Sequence, residues 1–250
     1  MKKLIFIILL FPVLAWAGPG YMVCDSNAVP AAPATFCDTA GIFCMDAESG
    51  GQVTMVAGSS DCDGYDADGD YCLQDGTTYK NGTHALGIRG SGATYYCREA
   101  LDSSVSEFYA EFWYRTNADG IGDTRALLFE DASNGAVVAV TRDNNEGVNA
   151  VCNGTTYDPG NNHIPEDTWV YIGLYYKEET GPGNNDGIVR VWLNTDGGTF
   201  DAADLLINQT AVDTVSNDAA KIRMGGPYSG KVCWRDDVRV VSGAPSWAIE

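Results

Sequence analysis

Beyond residue 17 the chain has no apolar run long enough to cross a bilayer as a helix, which removes a helical membrane span from its expected roles. Positive charge is scarce. Fifteen Lys and Arg stand against 34 Asp and Glu, for a net charge of −19, and so acidic a surface repels nucleic acid and anionic lipid while inviting divalent cations. Only two histidines, His84 and His163, are present. There is no C-x-x-C and no C-x-x-C-H, so redox dithiols, haem attachment and a zinc ribbon lose their usual signatures. A Ser-His-Asp elbow, a phosphate loop and an internal repeat are also missing.

Residues 1–17 carry Lys2 and Lys3, an apolar run from Leu4 to Leu14, and Ala15 and Ala17 around Trp16. This is the pattern of a secretory signal peptide cleaved near Ala17, so a secreted, extracellular or periplasmic protein is expected. Loss of the two lysines takes the charge from −19 to −21, because residues 1–17 hold no acid. The first cysteine after that point is Cys24, which speaks against a lipid-anchored membrane attachment. Residues 18–40 are rich in Pro and Ala and lack periodicity, and read as an extended arm tied down by Cys24 and Cys37. Residues 41–250 then form the single folded domain.

Eight cysteines in an exported chain favour disulfides over thiol chemistry. Cys62 with Cys72 is the expected pair around one tight loop. Cys97 with Cys233 is the second expected pair, because the first and last strands of a sandwich tend to be neighbours.

Strand periodicity dominates residues 52–241. Val170, Ile172 and Leu174 alternate with Tyr171 and Tyr175 ahead of Lys177, and Val189, Val191 and Leu193 alternate with Arg190 and Trp192. A period of two puts the aliphatic set on one face and the rings and charges on the other. Similar runs cover 52–57, 84–89, 93–99, 107–115, 126–130, 136–142, 148–152, 221–224 and 231–241, separated by Gly, Asn and Asp turns. One short helical piece is expected near 202–206. The fold class is therefore all-β, a two-sheet antiparallel sandwich.

The ordered landmarks Asn81 to Leu86, Phe108 to Arg115, the Trp169 to Asn194 hairpin and Arg235 to Val240 resemble those of concanavalin A-like lectin and glucanase jelly rolls, a group that includes laminin G-like domains. The resemblance covers about residues 41–241. It implies a jelly roll with a disulfide-tied N-terminal extension, but it does not choose among lectins, lyases, hydrolases and adhesive modules.

Two segments offer hard oxygen ligands for Ca²⁺. Asp61, Asp63, Asp66, Asp68 and Asp70 alternate through a glycine-bent loop, without the Gly and Glu that an EF-hand needs. The alternative is a solvated acidic loop closed by a disulfide. The laminarinase-like relatives imply a second site, a structural calcium on the convex side held partly by an Asp of the last strand, here Asp237 with Glu48 and the Gly82 carbonyl nearby. Its alternative is pairing of Asp236 and Asp237 with Arg235 or Arg239.

Glu107 and Glu111 flank Tyr109 where the laminarinase-like catalytic strand has Glu-x-Asp-x-Glu. Four residues separate them by ~13 Å, whereas a glycosidase pair needs carboxyls ~5 to 9.5 Å apart. Candidates for a lyase would be His84, His163, Tyr175, Lys177 and Arg190, although the signature motifs of alginate lyases of this fold are absent. What remains is a stacking platform of Tyr109, Trp113, Tyr171, Tyr175 and Trp192, edged by Glu111, Arg115, Lys177 and Arg190. Sugar rings pack their C–H faces on such rings, and a partly open groove is expected; the alternative is that long loops cover this face and the rings are core. The expected function is a calcium-stabilised, lectin-like domain that binds a polysaccharide or glycan without cleaving it. The rivals are a lyase or hydrolase of the same fold, and a structural or filament subunit whose partner is a second copy or a matrix.

Overall fold

Alternation decides the architecture, because a strand with one apolar face must bury it against another sheet. The computed structural model describes residues 41–45, 54–55, 71–90, 96–117, 124–214, 217–225, 231–245 and 247. The signal peptide, the Pro/Ala-rich arm, Glu48, the acidic run Asp61 to Asp70 and Cys62 lie outside these residues, so the structure does not bear on those expectations.

Fifteen strands follow in order: β1 Phe43–Met45, β2 Thr54–Met55, β3 Tyr71–Asp75, β4 Ala85–Gly90, β5 Tyr96–Val105, β6 Glu107–Thr116, β7 Thr124–Glu130 and β8 Ala136–Arg142. Then come β9 Val148–Cys152, β10 Thr155–Tyr157, β11 Val170–Lys177, β12 Gly187–Asn194, β13 Leu205–Val212, β14 Ala219–Gly225 and β15 Lys231–Ser242. They build two antiparallel sheets. One has eight strands in the order β13-β12-β11-β6-β15-β4-β3 with β1 also on β15, and the other has seven in the order β10-β9-β8-β7-β14-β5-β2.

The main core lies between the sheets. Phe108, Ala110, Phe112, Ile172, Leu174, Val189 and Val191 from the first meet Phe129, Val138, Val140, Ala150 and Ile222 from the second. Those of the first sheet are the inward positions that alternation assigned. Tyr114 and Tyr176 also turn inward, fully buried. At ~25 cal/mol per Å² of buried apolar surface, this layer supplies most of the stabilisation of the sandwich.

The β7–β8 and β8–β9 hairpins use one local device twice. Asp131 Oδ1 accepts from Ser133 N (2.7 Å) and Gly135 N (2.8 Å), and Asp143 Oδ1 accepts from Asn145 N (2.8 Å) and Gly147 N (2.7 Å). The residue before each glycine, Asn134 or Glu146, carries the positive φ. Gly147 has no room for a side chain, since a Cβ there would lie 2.5 Å from Asp143 Oδ2 and 2.8 Å from the Gly160 carbonyl. Gly147→Ala is accordingly expected to cost about 2 kcal/mol, read as a lower urea midpoint with an unchanged slope. An unchanged midpoint would mean that the loop relaxes freely.

Two expectations are corrected. Residues 205–212 form strand β13 rather than continuing a helix. The local helical signal reduces to one turn, in which Asp201 Oδ1 accepts from Ala203 N (2.7 Å) and Asp204 N donates to the Asp201 carbonyl (3.2 Å). Cys97 and Cys233 are not a pair: Cys233 is a free buried thiol, while Cys97, like Cys44, is disulfide-bonded. The neighbour rule itself holds, since β1 pairs with β15, but Cys97 sits on β5 of the opposite sheet. Cys233 Sγ instead lies 3.2 Å from the Gly225 carbonyl and accepts from Arg235 Nη1 at 2.7 Å.

Candidate functional site

The outward face of the eight-stranded sheet carries a second cluster made only from that sheet and the segments after it: Tyr109, Trp113, Tyr171, Tyr175, Trp192 and Phe200, with Trp169, Ile188, Leu205, Val241 and Trp247 against it. Strand register sorts its base into cross-strand rows. Val241, Tyr109, Tyr175, Arg190 and Asn208 form one row, and Arg239, Glu111, Gly173, Trp192 and Leu205 the next. Asp236, Trp113, Tyr171 and Asn194 form a third.

A glycine in the middle row makes the cluster possible. A Cβ on Gly173 would lie 2.8 Å from Phe200 Cε2 and 3.0 Å from Tyr109 Oη, so its absence lets the Phe200 ring settle onto the sheet. Phe200 then stacks on Tyr171, with centroids 5.0 Å apart and planes 5° apart. Trp247 meets Tyr109 and Trp192 edge-on, at 5.3 and 5.4 Å. Gly197, at φ +75°, lies close over the Trp113 ring, where a Cβ would come within 2.4 Å, and Lys80 Nζ sits 4.2 Å from that ring's centroid. These covers bury Tyr109, Trp113, Tyr171 and Tyr175 to 5% exposure or less. The partly open groove expected here is thus largely a packed second core, as its alternative had it.

Polar groups inside it are matched. Glu111 pairs with Arg239 and accepts the Tyr109 hydroxyl at 3.0 Å. Burial first, and then the Glu111 charge, push the Tyr109 and Tyr171 phenols well above their ordinary range, so neither is available as a base. Glu107 accepts the Tyr175 hydroxyl at 2.8 Å. Arg115 pairs with Asp167 at 3.1 Å and stacks over Trp234 at 5.5 Å. Lys177 is half-buried at the end of β11, opposite Glu107 and Ile188.

One recess remains at the edge of this face, although Trp192 and Phe200 in its wall are themselves only 4% and 5% exposed. A cavity of about 350 Å³ is walled by Trp192, Phe200 and Trp247, with Leu205 and Ala202 beside them and Arg190, Asn208 and Asp201 as its polar lining. Arg190 Nε donates to Asn208 Oδ1 at 2.9 Å, which fixes the guanidinium against the rings. Of the sequence-expected contacts, Arg190 and Trp192 line this cavity. Phe200, Asp201, Asn208 and Trp247 were missed. Asn208 lies on the unrecognised strand β13, whose pairing with β12 contains register shifts. Phe200 follows a Gly-Gly turn, and Trp247 comes after the last strand, so neither belongs to a periodic run. The two histidines lie elsewhere: His84 Nδ1 is 2.7 Å from Thr83 Oγ1, and the His163 amide donates to the Glu146 carbonyl.

At the β15 bulge, Asp236 Oδ2 accepts from Lys80 N (2.9 Å) and Asn81 N (3.0 Å), while its buried Oδ1 has no hydrogen-bond partner. Asp237, in the left-handed region at φ +49°, accepts from Asn81 Nδ2 at 2.5 Å. Arg235 turns into the core toward three carbonyls, and Arg239 pairs with Glu111. Burial, reinforced by the neighbouring Asp237 charge and opposed by the backbone amides of Asn81, Lys80 and Asp237, pushes the Asp236 carboxyl up to about 7. Among the described residues no cluster of three or more His, Cys, Asp or Glu side chains could hold a metal.

No protein-family model and no curated protein matches the chain. Solved structures do. The cellulose induced protein Cip1 aligns with a TM-score of 0.53 at 14% identity over 81% of this chain and 100% of that one. This chain shares the fold of Cip1. The alginate lyase Aly36B, in complex with alginate trisaccharide, has a TM-score of 0.47 at 10% identity, covering 64% of this chain and 82% of that one. The exoplasmic/lumenal domain of VIP36, in its Ca²⁺- and mannose-bound form, has a TM-score of 0.44 at 10% identity, covering 67% and 83%. At 14% identity the likeness to Cip1 bears on the all-β two-sheet sandwich fold alone.

Proposed function

We propose that this protein is an exported lectin-like domain that binds a saccharide and does not cleave it. The observation that carries the reading is the cavity at Trp192, Phe200 and Trp247. Three rings offer apolar walls to the C–H faces of a sugar, and the fixed Arg190–Asn208 pair with Asp201 offers donors and acceptors to its hydroxyls. A non-catalytic role accords with the carboxylates: Glu111 is held by Arg239 and Tyr109, and Glu107 by Tyr175.

Calcium enters the reading as a structural ion. Asp236 Oδ1 is a buried carboxylate oxygen without a partner beside a second carboxylate, a donor chemistry that suits a hard cation. Asp236 and Asp237 would hold it, and its charge would secure the bulged turn of β15 against the 75–84 segment.

Glycan-array binding of the mature protein, repeated with chelator, tests both parts. Trp192→Ala is expected to weaken binding at least about ten-fold with the fold retained by circular dichroism. Absence of binding to any neutral or acidic glycan would remove the reading, and new reducing ends or unsaturated products would replace it with an enzymatic one.

A further inference from the structure

The two covers of the aromatic cluster are held in different ways. Phe200 is keyed into the space above Gly173 and stacked flat on Tyr171. Trp247 is laid across the surface. Strand β15 ends at Ser242, Gly243 turns at φ +75°, and its N–H donates to the Glu107 carbonyl at 2.9 Å. Beyond that tether Trp247 lies over the sheet, its indole edge-on to Tyr109 (86°) and Trp192 (78°), with Phe200 5.9 Å away. Among the described residues these ring contacts hold it, and no hydrogen bond does. Beneath lie Tyr109 and Trp192, with centroids 6.4 Å apart and side chains 3% and 4% exposed.

Resting on the saccharide reading above, we propose that Trp247 is a displaceable cover over a second ring-binding subsite formed by Tyr109 and Trp192. The ligand class is then an oligosaccharide of two or more rings. One ring fills the cavity beside Arg190 and Asn208, and the next takes the place of the indole. The site is pre-built, because the Glu111–Arg239 pair beneath fixes the Tyr109 hydroxyl and Gly173 seats Phe200 at its side. The tail contributes an apolar group that protects both rings while no sugar is bound. Displacing it takes part of the ligand's binding energy, so affinity is lowered by the fraction of molecules whose subsite is covered.

The test compares mono- and oligosaccharide affinities of wild type, Trp192→Ala and Trp247→Ala by calorimetry, using whichever glycan series the array identifies. It also follows the tryptophans of the free protein by fluorine NMR after 5-fluorotryptophan labelling. Trp247→Ala is expected to raise the oligosaccharide affinity itself about five-fold or more, whatever loss of the indole wall does to the monosaccharide. The Trp247 resonance should broaden by exchange while that of Trp192 stays narrow. If oligosaccharide and monosaccharide affinities fall together in Trp247→Ala, the indole is a fixed wall and the proposal is overturned. A single narrow Trp247 resonance at all temperatures overturns it as well, even if no sugar binds. Failure of every glycan to bind wild type, with Trp247 still in exchange, would instead bring down the saccharide reading and leave a mobile cover without this ligand.

Discussion

Arg235→Ala is expected to destabilise the protein by about 4 kcal/mol, close to the limit of what single substitutions do. The side chain is fully buried, and its guanidinium meets no carboxylate among the described residues. Instead it ties the two sheets together. Nε donates to the Ala126 carbonyl (3.0 Å), and Nη2 donates to those of Arg125 (3.0 Å) and Gly225 (2.5 Å). Nη1 donates to Cys233 Sγ, and the group stands 5.2 Å from the centroid of Tyr114. Truncation would leave three inward carbonyls of β7 and β14 without this donor and open a cavity between the sheets. Arg235→Lys should recover little, because one ammonium cannot reproduce a planar fork that faces three acceptors. Urea denaturation measures the loss. A cost below about 1 kcal/mol would mean that water enters and satisfies those carbonyls.

That residue also marks where sequence reading reached its limit. Alternation along β6, β11 and β12 was legible because each strand has an aliphatic face and a ringed face, and Phe108, Phe112, Ile172 and Val191 point as the pattern demands. In the sequence Arg235 stood only as a candidate surface partner of Asp236 or Asp237. Only the register of β15 with β6 and β4, broken by the bulge after Asp236, turns the arginine inward and the aspartate outward. The cavity was half legible. Arg190 and Trp192 lie within a periodic strand, but their partners arrive from a turn, an irregular edge strand and the chain's last residues, where periodicity carries no information. Alternation also fixes which face a ring takes and not what covers it, so Tyr109 and Tyr175 could be assigned outward and still be core.

Asp236→Asn is expected to make the protein more stable at pH 8 and to leave it unchanged near pH 3, reversing the usual penalty for altering a buried polar group. In the native chain burial holds the Asp236 carboxyl near pH 7, above its ordinary value of 3.8. Below about pH 3.8 both folded and unfolded chains carry the proton, and the site contributes no difference. Between 3.8 and about 7 the unfolded chain has lost the proton that the native chain keeps, so the native state binds more protons and stability falls as pH rises. Above 7 both are ionised and the full cost of a buried charge beside Asp237 is in place, roughly 4 kcal/mol. The asparagine keeps one oxygen to accept from Lys80 N and Asn81 N and carries no charge. Its pH profile across this window should therefore be flatter than that of wild type, read from urea midpoints at pH 3 and 8 in chelator. Calcium should act in the opposite sense. An ion between Asp236 Oδ1 and Asp237 would stabilise ionised wild type at pH 8 in proportion to the logarithm of its concentration, while Asp236→Asn responded weakly. Parallel pH profiles in chelator would show that water already solvates Oδ1. Equal calcium responses of the two proteins would place any bound ion elsewhere.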